Sequence, residues 1–439
     1  MTNPIKIAYS WIGPRGPIVN TELPNILSFA VVAEGAKNTS DRAWSDDIYW
    51  KIFSNKKSFS LGPSYDIKDN ESFVYPFALI WRTSFETYFY PQNGILEFSL
   101  TQRHIIDRVR HGNGYFLLEC AAEAWVRSDQ LKLIHGYFGS YNIPMNKIIY
   151  LTGCMNAEDV YNNWCNDNNL PDSSGNRMNL ISYPSARYAF ANEHMNDFAE
   201  SEYNIESIPE KLFLCWNRRF RPHRSILAIA LNKLGLVDRS YYSMGKVDPE
   251  FQSQEFVTNR YINFNHTNYY NLTENDLTNL VEKLPLVIDG ATEIAEMCAD
   301  NSGNARVFYQ NSLVSIVTET NWDIPHLTST EKSFKPFRDK HPFIIVGVNG
   351  ALKSMRNLGF KTFSEFWDES YDEIEDCRQR LVKIIELCND IGNWDNEKIL
   401  DFKRRVKPIL DHNYLVLKNS STADIAKQVE EIVKKNNKQ

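Results

Sequence analysis

The sequence predicts an α/β protein built from two doubly wound domains. Three observations carry that prediction: the length of 439 residues, a series of short continuous apolar runs, and helical stretches lying between them. A chain this long exceeds what one ordinary core accommodates, so it divides into domains. Hydrophobic residues make up 43% and charged residues 23%, which excludes wholesale disorder.

The elements follow in order. Residues 5–10 form a short apolar run that leads into Gly13-Pro14-Arg15-Gly16-Pro17, a first strand and its loop. Residues 99–110 are helical in pattern. Residues 115–118 (YFLL), introduced by the turn-like Gly112-Asn113-Gly114, and residues 148–152 (IIYLT) read as further buried strands. Residues 167–176 are rich in Asn, Asp, Ser and Gly and form a loop. A softer boundary near 204–210 closes a first domain, residues 1–205. A second α/β domain spans 206–375. It has strands expected at 211–216 (KLFLCW), 284–288 (LPLVI), 313–317 (LVSIV) and 343–346 (FIIV), and a helix at 222–234. Residues 376–439 form a helical extension. Its apolar spacing begins at 372–389, followed by helices at 396–411 and 422–435, the last charged and expected to be exposed.

Composition bounds the chemistry. The net charge is -7 and the pI about 5.8, which disfavours nucleic acid as a partner. The local basic stretches 103–110 and 218–224 are the exceptions. The seven cysteines are scattered with no CxxC spacing, against a disulfide framework or a zinc site, so a reducing cytoplasm is expected. The first residues lack a basic segment followed by an apolar one, and no apolar run reaches membrane-spanning length. Aromatics at 13% suit sugar or base stacking, but they equally fill two cores.

Two clusters point to phosphate chemistry. In the first, the strand ending at Trp216 runs into Asn217, Arg218, Arg219, Arg221, His223 and Arg224. Arginines at a strand-to-helix turn clamp phosphate through bidentate, charge-assisted bonds, and the helix N-terminus adds its dipole. Four arginines beside a buried strand end exceed what solubility requires. Arg224, at the helix start marked by Pro222, is the foremost candidate, whereas His223 reads as structural. In the second cluster a buried strand ends at Glu319, and Thr330-Glu331-Lys332 opens a helix that continues to Lys335. Thr328 and Glu331 have capping-box spacing, an ordinary structural explanation for Glu331. Lys332 and Lys335 are not so explained, because cations are disfavoured at a helix N-terminus, and a bound diphosphate would reverse that cost. A carboxylate at a strand end, Glu319 or Glu331, suits ribose hydroxyls.

The order strand-Asn-Arg-His-Arg-helix, strand-Thr-Glu, then Thr-Glu-Lys resembles the donor domain of α-1,3-fucosyltransferase-type enzymes. The segments are Trp216-Asn217, Thr318-Glu319-Thr320 and Ser329-Thr330-Glu331-Lys332. Residues 342–352 and 358–372 also resemble glycosyltransferase-like proteins common in bacteriophage genomes. The resemblance covers roughly residues 206–375 and departs at Asn321, which is not the family's asparagine. It implies a GT-B fold, two facing Rossmann-like domains with the reaction in their cleft. It also implies that Lys332 and Arg224 hold the donor diphosphate while Glu331 holds sugar or ribose hydroxyls.

The expected activity is transfer of a sugar, by inversion, from a nucleotide-diphosphate donor to a hydroxyl, with a fucosyl donor as the resemblance implies. No Asp-x-Asp occurs in the sequence, so metal-independent chemistry without a cofactor is expected, cationic side chains stabilising the leaving diphosphate. The catalytic base is sought in the first domain. Glu119 follows YFLL, and Glu123 lies four residues on, one helical turn if a helix begins there; each is equally a helix-start carboxylate. Asp107, Glu22 and, for ligand contact, Arg15 are weaker candidates. The acceptor expected is a glycan. A phage-type DNA glycosyltransferase, drawing on Arg103, Arg108 and Arg110, and a noncatalytic nucleotide- or sugar-binding module are the alternatives.

Overall fold

The computed structural model describes residues 4–9, 52–53, 57–63, 67–78, 103–120, 126–171, 175–191, 205–245, 272–288 and 305–436. These residues form two compact units, 1–185 with 421–439, and 186–420. Each is α/β with one parallel sheet, as the apolar runs predict.

The first unit contains β1 (Ile5–Tyr9), β2 (Phe59–Pro63), β3 (Phe73–Ala78), α1 (Arg103–His111), β4 (Gly114–Cys120), α2 (Ser128–Ser140), β5 (Ile148–Thr152), α3 (Ala157–Asp167) and β6 (Asn179–Ser182). The six strands lie in the order β2-β1-β3-β4-β5-β6, and every pairing is parallel. All residues of β4 and β5 are buried. Strands covered on both faces need apolar side chains on both, which is why they read as continuous runs. β3 was not foreseen, because Pro76 interrupts it. Of β3, only Phe73 and Val74 pair with β1, so Pro76 lies past the end of that ladder and its missing N–H is tolerated.

The second unit starts at the short helix α4 (Ser185–Ala189), whose first residue belongs to the first unit. It continues through β7 (Lys211–Cys215), α5 (Pro222–Lys233), β8 (Ser240–Tyr242), α6 (Glu274–Glu282), α7 (Arg306–Gln310), β9 (Ser312–Thr318), α8 (Glu331–Arg338), β10 (Phe343–Val346), α9 (Ala351–Asn357), α10 (Cys377–Gly392) and α11 (Asn396–Lys418). The parallel strands lie in the order β10-β9-β7-β8. Residues 284–288 are not the strand expected. They make one isolated antiparallel bridge, Leu286 to Met244. Pro285 has no N–H to offer a ladder, so the apolar run is a packed loop.

The helices expected as one extension over 376–439 are shared between the units. α10 and α11 pack into the core of the second through Leu381, Ile384, Ile385, Phe402 and Val406. α12 (Ala423–Asn436) returns to the first unit beside β6. It is not the exposed helix expected, since Ile425, Ala426, Val429 and Val433 bury one face. The crossing points are pinned within the second unit, where Arg187 Nε donates to Ser420 Oγ at 2.8 Å.

His341, 1% exposed, ties β9 to the turn before β10. Its Nε2–H donates to the Ser312 carbonyl at 3.0 Å and its Nδ1 meets Ser315 Oγ at 2.8 Å. Burial pulls its pKa down to about 4. A histidine whose folded pKa lies below its unfolded value supports the fold above pH 6.5, and that support is lost as the pH falls toward the folded pKa. For His341 the window runs from 6.5 to about 4 and is worth about 3 kcal/mol. His223, also lowered by burial and by the Arg224 charge, adds in the same direction. Glu369 and Asp372, raised by burial, oppose it in part. Urea unfolding of the second unit is therefore expected to weaken steeply between pH 6.5 and 4.5. A flat profile there contradicts the assignment.

Candidate functional site

In the second sheet the strand order reverses between β7 and β9, which are neighbours while their crossovers lead to opposite edges. In open parallel sheets ligands bind beyond the carboxyl ends of the strands at such a reversal. Both sequence clusters begin there, the first after Cys215 at the end of β7 and the second after Thr318 at the end of β9.

The first cluster divides into scaffold and surface. Asn217 is fully buried; its Nδ2 donates to Cys215 Sγ at 3.1 Å, and its Oδ1 accepts from Thr318 Oγ1. It ties the β7 end to the β9 end, so its role is not the ligand contact expected. Arg224 is 2% exposed, on the first turn of α5. Its guanidinium donates to the Arg219 carbonyl at 2.9 Å and the Thr318 carbonyl at 3.0 Å, while Nε has no partner among the described residues. Burial, with the Arg221 charge, pulls its pKa down to about 10. Arg224 thus holds the arginine loop against β9 rather than reaching outward. Arg218 and Arg219 are exposed and Arg221 is half-buried. α5 opens at Pro222 with no side-chain cap, leaving its positive dipole end beside them. His223 is structural, as its sequence context suggests. Its Nε2–H donates to the Glu319 carbonyl at 3.0 Å, and its ring stacks on Trp322 at 5.1 Å.

The second cluster is organised by Glu319, 1% exposed. Its carboxylate accepts from Thr330 N at 3.0 Å, Thr330 Oγ1 at 2.7 Å, Ser333 Oγ at 2.6 Å and Thr320 N at 3.3 Å. Both oxygens are occupied by the start of α8, so Glu319 positions that helix and offers nothing to ribose. The N-cap is Thr330, accepting from Lys332 N at 3.4 Å. Thr328 lies outside the helix, and the capping box expected from it does not form, because the turn begins two residues later. Glu331 is exposed and pairs with Lys332 at 2.7 Å. Lys332 Nζ also lies 3.1 Å from Thr330 Oγ1, which places a half-buried ammonium at the mouth of the Glu319 network. Lys335, one turn on, is 9% exposed.

One clamp was missed in the sequence. Arg380, 3% exposed on α10, donates to the carbonyls of Gly347 at 3.0 Å, Trp322 at 2.6 Å, Glu375 at 3.2 Å and Ile374. It joins the loops that follow β9 and β10. Its signal was a lone arginine on the apolar stripe of Cys377, Leu381 and Ile384.

In the first unit Glu119 lies inside β4, not after it, paired in register with Ala78 and Leu151 and 1% exposed. Enclosed in the sheet, it is closed to an acceptor. Glu123, Glu22 and Arg15 lie outside the described residues, as does the Arg103 side chain. Asp107 pairs with Arg110 at 3.1 Å. Arg108 donates to the carbonyls of Ile67, Lys68 and Glu71 and lies over Phe73, and Arg110 donates to the Tyr141 carbonyl at 2.8 Å. The basic strip that the DNA reading needs is therefore spent on internal bonds at these two positions. Among the described residues no three His, Cys, Asp or Glu side chains are placed to hold a metal ion, and no helix is long and apolar enough to cross a membrane.

No protein-family model matches the chain, and no curated protein is significantly similar to it in sequence.

Proposed function

We propose that this chain is a nucleotide-sugar-dependent glycosyltransferase of the GT-B type, its donor diphosphate held by the second unit. The observation that carries the reading is the position of the cations. Arg218, Arg219, Arg221 and Lys332 flank the ends of β7 and β9 at the strand-order reversal, with Arg224 and Glu319 spent on holding their segments in place. Oxygen-rich anions suit such a set, because charge-assisted donors lie in the segments that follow two adjacent strand ends.

The chemistry is a displacement at the anomeric carbon. The acceptor hydroxyl forms the new C–O bond, the bond to the diphosphate oxygen breaks, and its electron pair leaves with the diphosphate. The arginine loop and Lys332 stabilise the charge that gathers there. The acceptor proton passes to a general base, a role that the enclosed Glu119 does not fit. The acceptor is read as a glycan and the donor as fucosyl-type, following the resemblance of residues 206–375.

Thermal-shift titration with GDP, UDP, ADP and their sugar conjugates tests this reading. A nucleoside diphosphate that binds the native state raises its melting temperature by mass action. Lys332→Ala is expected to weaken that binding about 10- to 100-fold, the loss of one charge-assisted contact. Release of sugar from the bound donor supports the transferase; binding without turnover assigns the chain to a noncatalytic binding module instead. No shift with any nucleotide overturns both.

A further inference from the structure

A second recess lies within the second unit, formed by α10 and the loop 366–371. It is a cavity of about 300 Å³, at the lower end of the range for small-molecule sites. Its lining joins Phe366, Trp367 and Trp394 with Asp390, Lys383 and Lys398. The wall on α10 comes from residues spaced three and four apart, which share one stripe of a helix.

The walls are fixed by packing that does not involve a ligand. Phe366 and Trp394 each meet Phe402 edge-on, at 5.0 and 5.2 Å. Trp367 packs between Phe363 and Phe402. Glu369 holds the loop by accepting from Phe363 N at 2.7 Å. The two outer aromatics stay half-buried at the cavity although they are large and apolar. Trp367 is 7% exposed, and its indole N–H is buried without a partner among the described residues.

The charges discriminate between ligand classes. Lys383 and Glu386 neutralise each other at 2.7 Å, and Asp368 is spent on Ser370. Asp390 is exposed, and Lys398 lies 4.6 Å over the Trp394 ring. The lining carries two ammonium groups and three carboxylates, so it offers neither a phosphate nor a polycation a strong net attraction. It favours an uncharged ligand with one apolar face and a rim of hydroxyls: the ring C–H groups rest on aromatic carbon, and the hydroxyls donate to carboxylate and accept from ammonium. We infer that this cavity is a carbohydrate-binding subsite for one or two neutral sugar rings, separate from the ends of β7 and β9. The inference stands without the donor reading, since no residue lining the cavity belongs to either cluster at the ends of β7 and β9.

Saturation-transfer NMR on the full chain tests it, with the methyl glycosides of glucose, galactose, mannose and fucose, and lactose, as probes and no nucleotide present. At least one probe is expected to receive saturation. The signal is expected to fall at least fivefold in Trp394→Ala and in Asp390→Ala, the second an exposed position whose replacement leaves the core intact. It is expected to persist in Lys332→Ala. No transfer to any probe overturns the inference. So does a signal that survives both cavity variants, or one that disappears only in Lys332→Ala; in that last case the sugar sits at the donor site and the donor reading is kept.

Discussion

Replacing Arg380 by methionine is expected to lower the melting temperature of the second unit by about 10 °C. The guanidinium spans four carbonyl groups from three segments, the loops after β9 and β10 and the residues leading into α10. Methionine keeps most of the stem's packing and removes all the donors. The carbonyls are then buried without partners, each at a cost of about 1–3 kcal/mol, eased where water enters. Removing a buried charge also recovers its desolvation cost, which keeps the net loss nearer 3–5 kcal/mol. Lysine should restore little, because one ammonium cannot span acceptors held by a planar fork. Calorimetry of the three proteins measures it. A methionine variant that melts within 2 °C of the parent would show the clamp to be dispensable.

Glu319→Ala carries the second large effect. It removes the acceptor for two hydroxyls and two amides at 1% exposure. The first turn of α8 is then left with unsatisfied donors, a loss of about 3–4 kcal/mol. Lys332 rides on that turn, so the nucleotide binding proposed above should fall with it. Glu319→Gln separates positioning from direct contact. An amide keeps one acceptor oxygen, and the hydroxyls can rotate to accept from its NH₂, so stability and binding should both recover in part. If Glu319 instead touched the donor, the alanine variant would lose binding while melting normally. That outcome sinks the positioning role.

The strands most legible in the sequence are those buried on both faces. The runs at 115–118, 148–152, 313–317 and 343–346 lie in β4, β5, β9 and β10, where a parallel sheet demands apolar side chains throughout. Edge strands β2, β6 and β8 escaped notice, because a strand with one neighbour among the described residues tolerates polar residues, as Asn179 and Ser182 of β6 show, whereas the edge strand β10 is buried throughout. Residues 284–288 misled for the converse reason, an apolar run whose proline cannot enter a ladder. That both clusters follow strand ends was legible, because each comes directly after an apolar run. The division of labour within them was not. Whether Arg224 or Arg218 meets solvent depends on where the Thr318 and Arg219 carbonyls stand, and that is fixed only once β7 and β9 pair.

The two crossings between units, beside Ser185 and Ser420, have a consequence for biosynthesis. The second unit is one uninterrupted stretch of chain, 186–420. It can complete its core while still tethered to the ribosome. The first unit must wait with the face beside β6 uncovered until α12 has been made. Because Arg187 and Ser420 meet, the ends of that stretch lie side by side. The second unit is thus an insertion that could be excised, or its termini joined and reopened elsewhere, without stretching any of its strands.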